Sequence, residues 1–214
     1  MPLFYQHNIN ENTRLGIWRI EEPEAFFLEK VPVKREVSHP YKRLQHLAGR
    51  YLLPVLFNDF PMEEIQVADT RRPYLQNEQY HFSISHCGNY AAALVSSGQR
   101  VGVDIELVTP RLLGIRHKFL HDNERRFLQD WEMLPRVYLE LTTIIWSAKE
   151  AIYKWYGEGS LDFKQHMRLA GAITFNPDEW AAIPFVFEKN GQRPLTIYAR
   201  VFDPLVVAWV ATEK

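Results

Sequence analysis

The chain has 214 residues, 46% of them hydrophobic and 24% charged, with 25 basic side chains against 26 acidic ones. Those proportions suit one large or two small folded domains and exclude collagen-like, disordered and disulfide-scaffold chains. The near-cancelling charge excludes a general nucleic-acid coat. The longest apolar run, residues 205–211, has seven residues, against the roughly 18 of a membrane-spanning helix, so no membrane is expected as a partner. The segment starting at Met1 carries no secretory-signal pattern, and Cys87 is the single cysteine. The expected compartment is therefore the cytoplasm.

In chain order, residues 15–20 alternate as a strand and residues 22–30, opened by Pro23, read as a short helix. A basic cluster follows: Lys30, Lys34, Arg35, Lys42, Arg43 and Arg50 surround the single acid Glu36, with His39 and His46 interleaved. Such a cluster is either a solvated face or a site for a small polyanion. Leu44, Leu47, Ala48, Tyr51, Leu52 and Val55 recur at three- and four-residue spacing, which predicts a helix over 41–57 with Pro54 near its end. After Arg71-Arg72-Pro73, three strand-like segments at 80–85, 90–96 and 100–107 suggest an antiparallel meander. Helices are expected at 122–131 and 139–156, and a hairpin at 195–202 and 205–212 turns on Asp203-Pro204. The fold class is α+β, with two similar halves meeting near residue 104, taken as 1–103 and 104–214.

Two segments carry chemistry. In Val101-Gly102-Val103-Asp104-Ile105-Glu106, the period of two puts Asp104 and Glu106 on one strand face, about 7 Å apart. The pair is either the wet face of an amphipathic strand or a grip for one hard divalent cation. In Trp146-Ser147-Ala148-Lys149-Glu150-Ala151-Ile152-Tyr153-Lys154, helical spacing aligns Trp146, Glu150 and Lys154. Glu150 and Lys154 then form a surface pair, or supply a third carboxylate and a cation for a phosphate oxygen. His81-Phe82-Ser83-Ile84-Ser85-His86-Cys87-Gly88 ends a strand at a Gly turn, but offers no third group to orient a nucleophile and no zinc-site spacing.

Together and in this order, the segments resemble the 4'-phosphopantetheinyl transferases, in particular the longer, surfactin-synthetase-activating type. Its Gly-x-Asp-x-Glu strand is matched by Gly102 to Glu106, and its Trp-Ser-x-Lys-Glu-Ala/Ser-x-x-Lys helix by Trp146 to Lys154, followed by Gly157-Glu158-Gly159. Upstream, Ala48-Gly49-Arg50, Arg71-Arg72-Pro73 and Phe82-Ser83-Ile84-Ser85-His86-Cys87 resemble Ala-Gly-Arg, Gly-Lys-Pro and Phe-Asn-Ile-Ser-His-Ser, with Ser83, Cys87 and Arg71-Arg72 as departures.

The resemblance implies a monomeric pseudo-dimer in which each half packs an antiparallel sheet on a long helix. It implies Mg²⁺, with Mn²⁺ possible, held by Asp104, Glu106 and Glu150, and coenzyme A as substrate. An apo acyl or peptidyl carrier protein would receive the phosphopantetheine arm on a serine, leaving adenosine 3',5'-bisphosphate. Lys154 would meet the leaving phosphate, and Glu150 would deprotonate the serine directly or through water. Arg50, Arg72 and His86 would bind the 3'-phosphate, with Ser85 near the adenosine. Glu124 and Lys149 are further candidates. Lys42 and Arg43, or Phe119, Leu120 and Phe127, would face the carrier, the last three being alternatively ordinary core. Competing readings are a non-catalytic coenzyme A or carrier-binding module and a metal-dependent phosphohydrolase.

Overall fold

The computed structural model describes residues 3–32, 37–174 and 179–213, so Met1, Pro2 and the Lys34, Arg35 and Glu36 of the basic cluster lie outside the described residues. The chain divides into two compact units, one comprising Met1–Ile105 with Ala211–Lys214 and the other Glu106–Val210. Each combines α-helices with antiparallel strands. Among the described residues, no helix is long and apolar enough to cross a membrane.

The first unit contains β1 (Leu3–Asn10), β2 (Thr13–Arg19), α1 (Glu24–Leu28), α2 (Pro40–Leu56), a 3-10 turn at Met62–Glu64, β3 (Gln66–Val67), β4 (Pro73–Tyr74), β5 (His81–Cys87) and β6 (Tyr90–Ser96). Its main sheet has the order β1-β2-β6-β5. The meander expected from 80–107 is therefore corrected. β6 pairs with β5 on one edge and with β2 on the other, Leu94 facing Leu15 and Ala92 facing Ile17. A strand has two edges, so β7 (Gln99–Leu107) has no ladder position left beside β6 and instead carries the chain toward the second unit. The unexpected β1 has no fully buried residue and mixes polar with apolar side chains on both faces, which leaves little periodicity to read.

α2 spans one residue more at its start than expected, because Pro40 sits at the first helical position, where its missing N–H leaves no bond unmade. Pro54 falls inside the last turn, where it has no N–H to offer the carbonyl of Arg50, and α2 ends two residues later. Leu47, Ala48, Leu52, Leu53 and Leu56 of α2 form one buried cluster with Trp18, Phe82, Ala91, Ala93 and Val95 of the sheet. Arg43 belongs to this architecture. Its guanidinium donates twice to the Glu24 carboxylate, at 2.7 and 3.0 Å, and once to the Val37 carbonyl at 3.0 Å, tying α2 to α1.

The second unit contains α3 (Arg111–Phe119), α4 (Asp122–Gln129), α5 (Pro135–Tyr156), β8 (Met167–Leu169), β9 (Ala181–Phe187), β10 (Arg193–Phe202) and most of β11 (Leu205–Glu213), whose residues from Ala211 on are counted with the first unit. β8, β9, β10 and β11 lie side by side and antiparallel, with Tyr198 opposite Trp209 in the β10–β11 hairpin. Leu141, Ile144, Ile145, Ala148, Ile152 and Trp155 of α5 share one core with Ile183, Phe185, Ile197, Val206 and Ala208. Phe119 and Leu120 are fully inside it, so these two are core rather than partner surface, while the half-buried Phe127 packs against it. Gly157 ends α5 at φ 72°, a left-handed conformation that glycine adopts without a Cβ penalty. α3 and β9 escaped sequence reading because Gly114 and Pro184 sit inside them.

Candidate active site

The first unit places five of the candidate residues: Arg50, Arg72, Ser85, His86 and Asp104. The second places Glu106, Glu124, Lys149, Glu150 and Lys154.

In the first unit, the Ala48-Gly49-Arg50 turn of α2 packs closely on the sheet. A Cβ at Gly49 would lie 2.5 Å from Ile84 Cγ2, well inside contact distance, so only glycine permits this approach. It sets the Arg50 turn against the strand that carries Ser85 and His86 immediately after Ile84. Arg50 is 5% exposed, and no acidic side chain among the described residues pairs with it. Burial pushes its pKa below the ordinary guanidinium value. A buried cation without a protein counter-charge is costly, and an arriving anion relieves that cost. His86 is exposed at the end of β5, and Gln45 of α2 donates to the Gly88 carbonyl at 2.8 Å, holding the turn just beyond it. Arg72 is half-buried in the turn between β3 and β4, where its carbonyl accepts from the Ala68 N–H at 2.9 Å. Arg71, at the position matching the family's glycine, has φ 65°.

Ser83 and Ser85, two apart on β5, reach β7 through their side chains. Ser83 Oγ accepts the Val103 N–H at 3.1 Å and Ser85 Oγ accepts the Ile105 N–H at 3.3 Å. Ser85 also donates its hydroxyl to Asp104 Oδ1 at 2.8 Å, and both side chains are buried. The serine expected near adenosine thus spends its hydroxyl on orienting Asp104.

In the second unit, α5 from Leu141 to Tyr156 is buried everywhere except at Trp146, Glu150, Tyr153 and Lys154. These fall at i, i+4, i+7 and i+8, one stripe along the helix. The Trp146 indole N–H donates to Glu106 Oε1 at 3.0 Å, bringing the second carboxylate of β7 to the same stripe. Sequence reading aligned Trp146 with Glu150 but had no means of assigning it this hydrogen bond.

Lys149 and Glu124 are enclosed. The Lys149 ammonium donates to Glu124 Oε2 at 2.6 Å, the Phe119 carbonyl at 2.7 Å and the Phe163 carbonyl at 2.9 Å. Glu124 also accepts the His121 N–H at 2.8 Å and the Leu169 N–H at 2.9 Å. The two side chains are 0% and 1% exposed. Desolvation lowers the Lys149 pKa to about 8, against the opposing pull of Glu124.

Among the described residues, no three His, Cys, Asp or Glu side chains form a ready-made metal-holding group. The donor chemistry still suits a hard cation: Asp104, Glu106 and Glu150 offer carboxylate oxygens. Mg²⁺ usually binds through one or two carboxylates together with waters and substrate phosphates.

Comparison with known proteins identifies the family. The 4'-phosphopantetheinyl transferase superfamily profile matches residues 100–210, slightly more than half of the chain. The 4'-phosphopantetheinyl transferase gsp of Aneurinibacillus migulanus is 27% identical over 184 residues, covering 83% of this chain and 69% of that protein. Enterobactin synthase component D of Salmonella typhimurium is 29% identical over 119 residues, 55% of this chain and 49% of that protein. The 4'-phosphopantetheinyl transferase AcpT of Escherichia coli is 33% identical over 120 residues, 54% of this chain and 59% of that protein. The chain thus belongs to the 4'-phosphopantetheinyl transferase superfamily, a family of group-transferring enzymes.

Proposed function

We propose that the protein moves the 4'-phosphopantetheine arm of coenzyme A onto a serine of an apo acyl or peptidyl carrier protein, releasing adenosine 3',5'-bisphosphate. The observation that carries the reading is the α5 stripe: on a helix otherwise buried over 141–156, Glu150 and Lys154 are left facing outward beside the Trp146 that holds Glu106. Carboxylates and a lysine so aligned suit phosphoryl transfer, which asks the protein mainly to position reactants and neutralise charge.

Asp104, Glu106 and Glu150 would hold Mg²⁺, or Mn²⁺, and that cation when bound would offset charge on the pyrophosphate oxygens. Lys154 meets the phosphate of the leaving bisphosphate. Glu150 takes the proton from the incoming serine hydroxyl. Arg50, Arg72 and His86 receive the 3'-phosphate, and the buried guanidinium of Arg50, which no acidic side chain among the described residues pairs with, supports that assignment. The two units, each a helix with an antiparallel sheet, read as diverged copies within a cytoplasmic monomer.

The test is intact-mass analysis of apo carrier protein incubated with the enzyme, coenzyme A and Mg²⁺. A metal-dependent gain of one phosphopantetheine arm supports the reading. Binding of coenzyme A without any gain supports a binding module, and release of free phosphopantetheine and adenosine 3',5'-bisphosphate without transfer supports a hydrolase.

A further inference from the structure

Two aromatic rings, those of Phe119 and Phe163, pack on the outward stripe of α5, and both belong to residues whose backbone is held by the buried lysine. Lys149 binds the carbonyls of Phe119 and Phe163 at 2.7 and 2.9 Å. The rings of those same two residues flank Trp146, with centroids 4.9 Å and 5.5 Å from the indole, the Phe163 ring lying within 24° of parallel. Tyr153 adds a contact to Phe163 at 5.7 Å. Trp146 in turn donates to Glu106 Oε1 at 3.0 Å.

We propose that Lys149 and Glu124 are positioning residues for Glu106, acting through an aromatic vice: the buried ion pair fixes the backbone of Phe119 and Phe163, their rings fix the Trp146 indole, and its N–H fixes the Glu106 carboxylate. The proposal rests on the reading that Glu106 holds the cation.

Three features carry it. The ammonium has three donors and all three are used within this unit, on the C-terminal end of α3, the start of α4 and the segment after α5. Glu124 spends its oxygens on Lys149 and on the His121 and Leu169 N–H groups. Neither group is left for substrate, since the pair is almost fully enclosed. Trp146 is only half-buried, so without the two rings its indole would sample other rotamers and release the carboxylate. A partner that orients a metal-binding carboxylate typically changes metal affinity 10- to 100-fold when removed.

The experiment reads the Trp146 indole N–H directly in ¹⁵N–¹H spectra of the full chain with coenzyme A bound, the peak being assigned by its loss in Trp146→Phe. Because Lys149→Met removes a buried charge and endangers folding, the decisive variant is Phe163→Leu, which keeps the carbonyl that Lys149 binds but deletes the ring. Expected is a shifted, faster-exchanging indole peak in Phe163→Leu, with recovery in Phe163→Tyr. The Mn²⁺ concentration for half-maximal activity should rise about tenfold in Phe163→Leu, while the KM for coenzyme A stays at the wild-type value. An indole peak unmoved by Phe163→Leu would overturn the vice. Paramagnetic broadening of that peak by added Mn²⁺ tests the reading beneath it. If wild type shows no broadening that Glu106→Gln abolishes, Glu106 is not a cation ligand, whatever Phe163→Leu does.

Discussion

Gly49 offers a test of packing in which the sign of one mutation depends on another. An alanine Cβ there would lie 2.5 Å from Ile84 Cγ2 but 4.0 Å from Ile84 Cβ. Relaxed carbon contacts lie at about 3.5–4.0 Å, so Gly49→Ala must push α2 from β5 by about 1 Å or distort Ile84. Overpacking of this kind costs roughly 1–3 kcal/mol, and the Cγ2 atom, on a stiff β-branched carbon, cannot swing clear. Ala over Gly inside a helix returns about 1 kcal/mol. The net expectation in the wild-type background is a loss of up to about 2 kcal/mol, a melting temperature lower by about 4–8 °C at this chain length. In an Ile84→Ala background the obstructing atom is gone, and the same substitution should stabilise by up to about 1 kcal/mol. Thermal unfolding of the four proteins of the cycle measures it. Equal effects of Gly49→Ala in both backgrounds would refute the claim that this glycine exists to admit β5. Coenzyme A affinity should fall in Gly49→Ala alone, because Arg50 follows the displaced turn.

Further expectations follow from single residues. Arg50→Met should raise stability, by about 1 kcal/mol or more, since it removes a buried cation that no acidic side chain among the described residues pairs with, while weakening coenzyme A binding; calorimetry of both quantities checks the opposed signs. Lys149→Met should destabilise by about 3–5 kcal/mol, because it strands a buried carboxylate, readable as a lowered urea midpoint. The folded protein holds the Lys149 proton less tightly than the unfolded chain, with a pKa of about 8 against 10.5. Unfolding therefore takes up a proton between those values, and the stability this group contributes rises as pH increases from about 8 toward 10.5. The wild-type advantage over Lys149→Met should widen over that window, and a narrowing would contradict it. Ser85→Ala should lower turnover more than it raises the KM for coenzyme A, since the hydroxyl serves Asp104; a pure KM effect would return Ser85 to the ligand. Arg71→Gly should stabilise by about 1 kcal/mol by relieving a left-handed backbone at φ 65°.

The chemistry was legible where it is local. The period of two in Asp104-Ile105-Glu106 and the period of four in Trp146, Glu150 and Lys154 are set by backbone geometry, and α2 and α5 follow from their apolar stripes. What escaped is tertiary. Nothing near Tyr90–Ser96 says that β2, some 75 residues earlier, takes the edge of β6 expected for β7. The serine clamp on Val103 and Ile105 joins segments whose own patterns read only as strands. Lys149 did carry a signal: it falls with Leu141, Ile145, Ile152 and Tyr156 at helical spacing on the apolar side, where a solvated lysine does not belong. Arg43 shows the converse, a basic residue in a basic cluster whose charge is already met by Glu24.

Asp104, Glu106, Glu150 and Lys154 are proposed to serve transfer of phosphopantetheine from coenzyme A to a carrier serine. The most direct test is the intact mass of apo carrier proteins from fatty-acid, polyketide and peptide pathways after incubation with coenzyme A, with Mg²⁺ or EDTA, beside Asp104→Ala and Glu150→Ala enzymes that melt at the wild-type temperature. The expected result is a gain of one phosphopantetheine arm that requires Mg²⁺ and is lost in both variants. Full modification by either variant, or in EDTA, would contradict it.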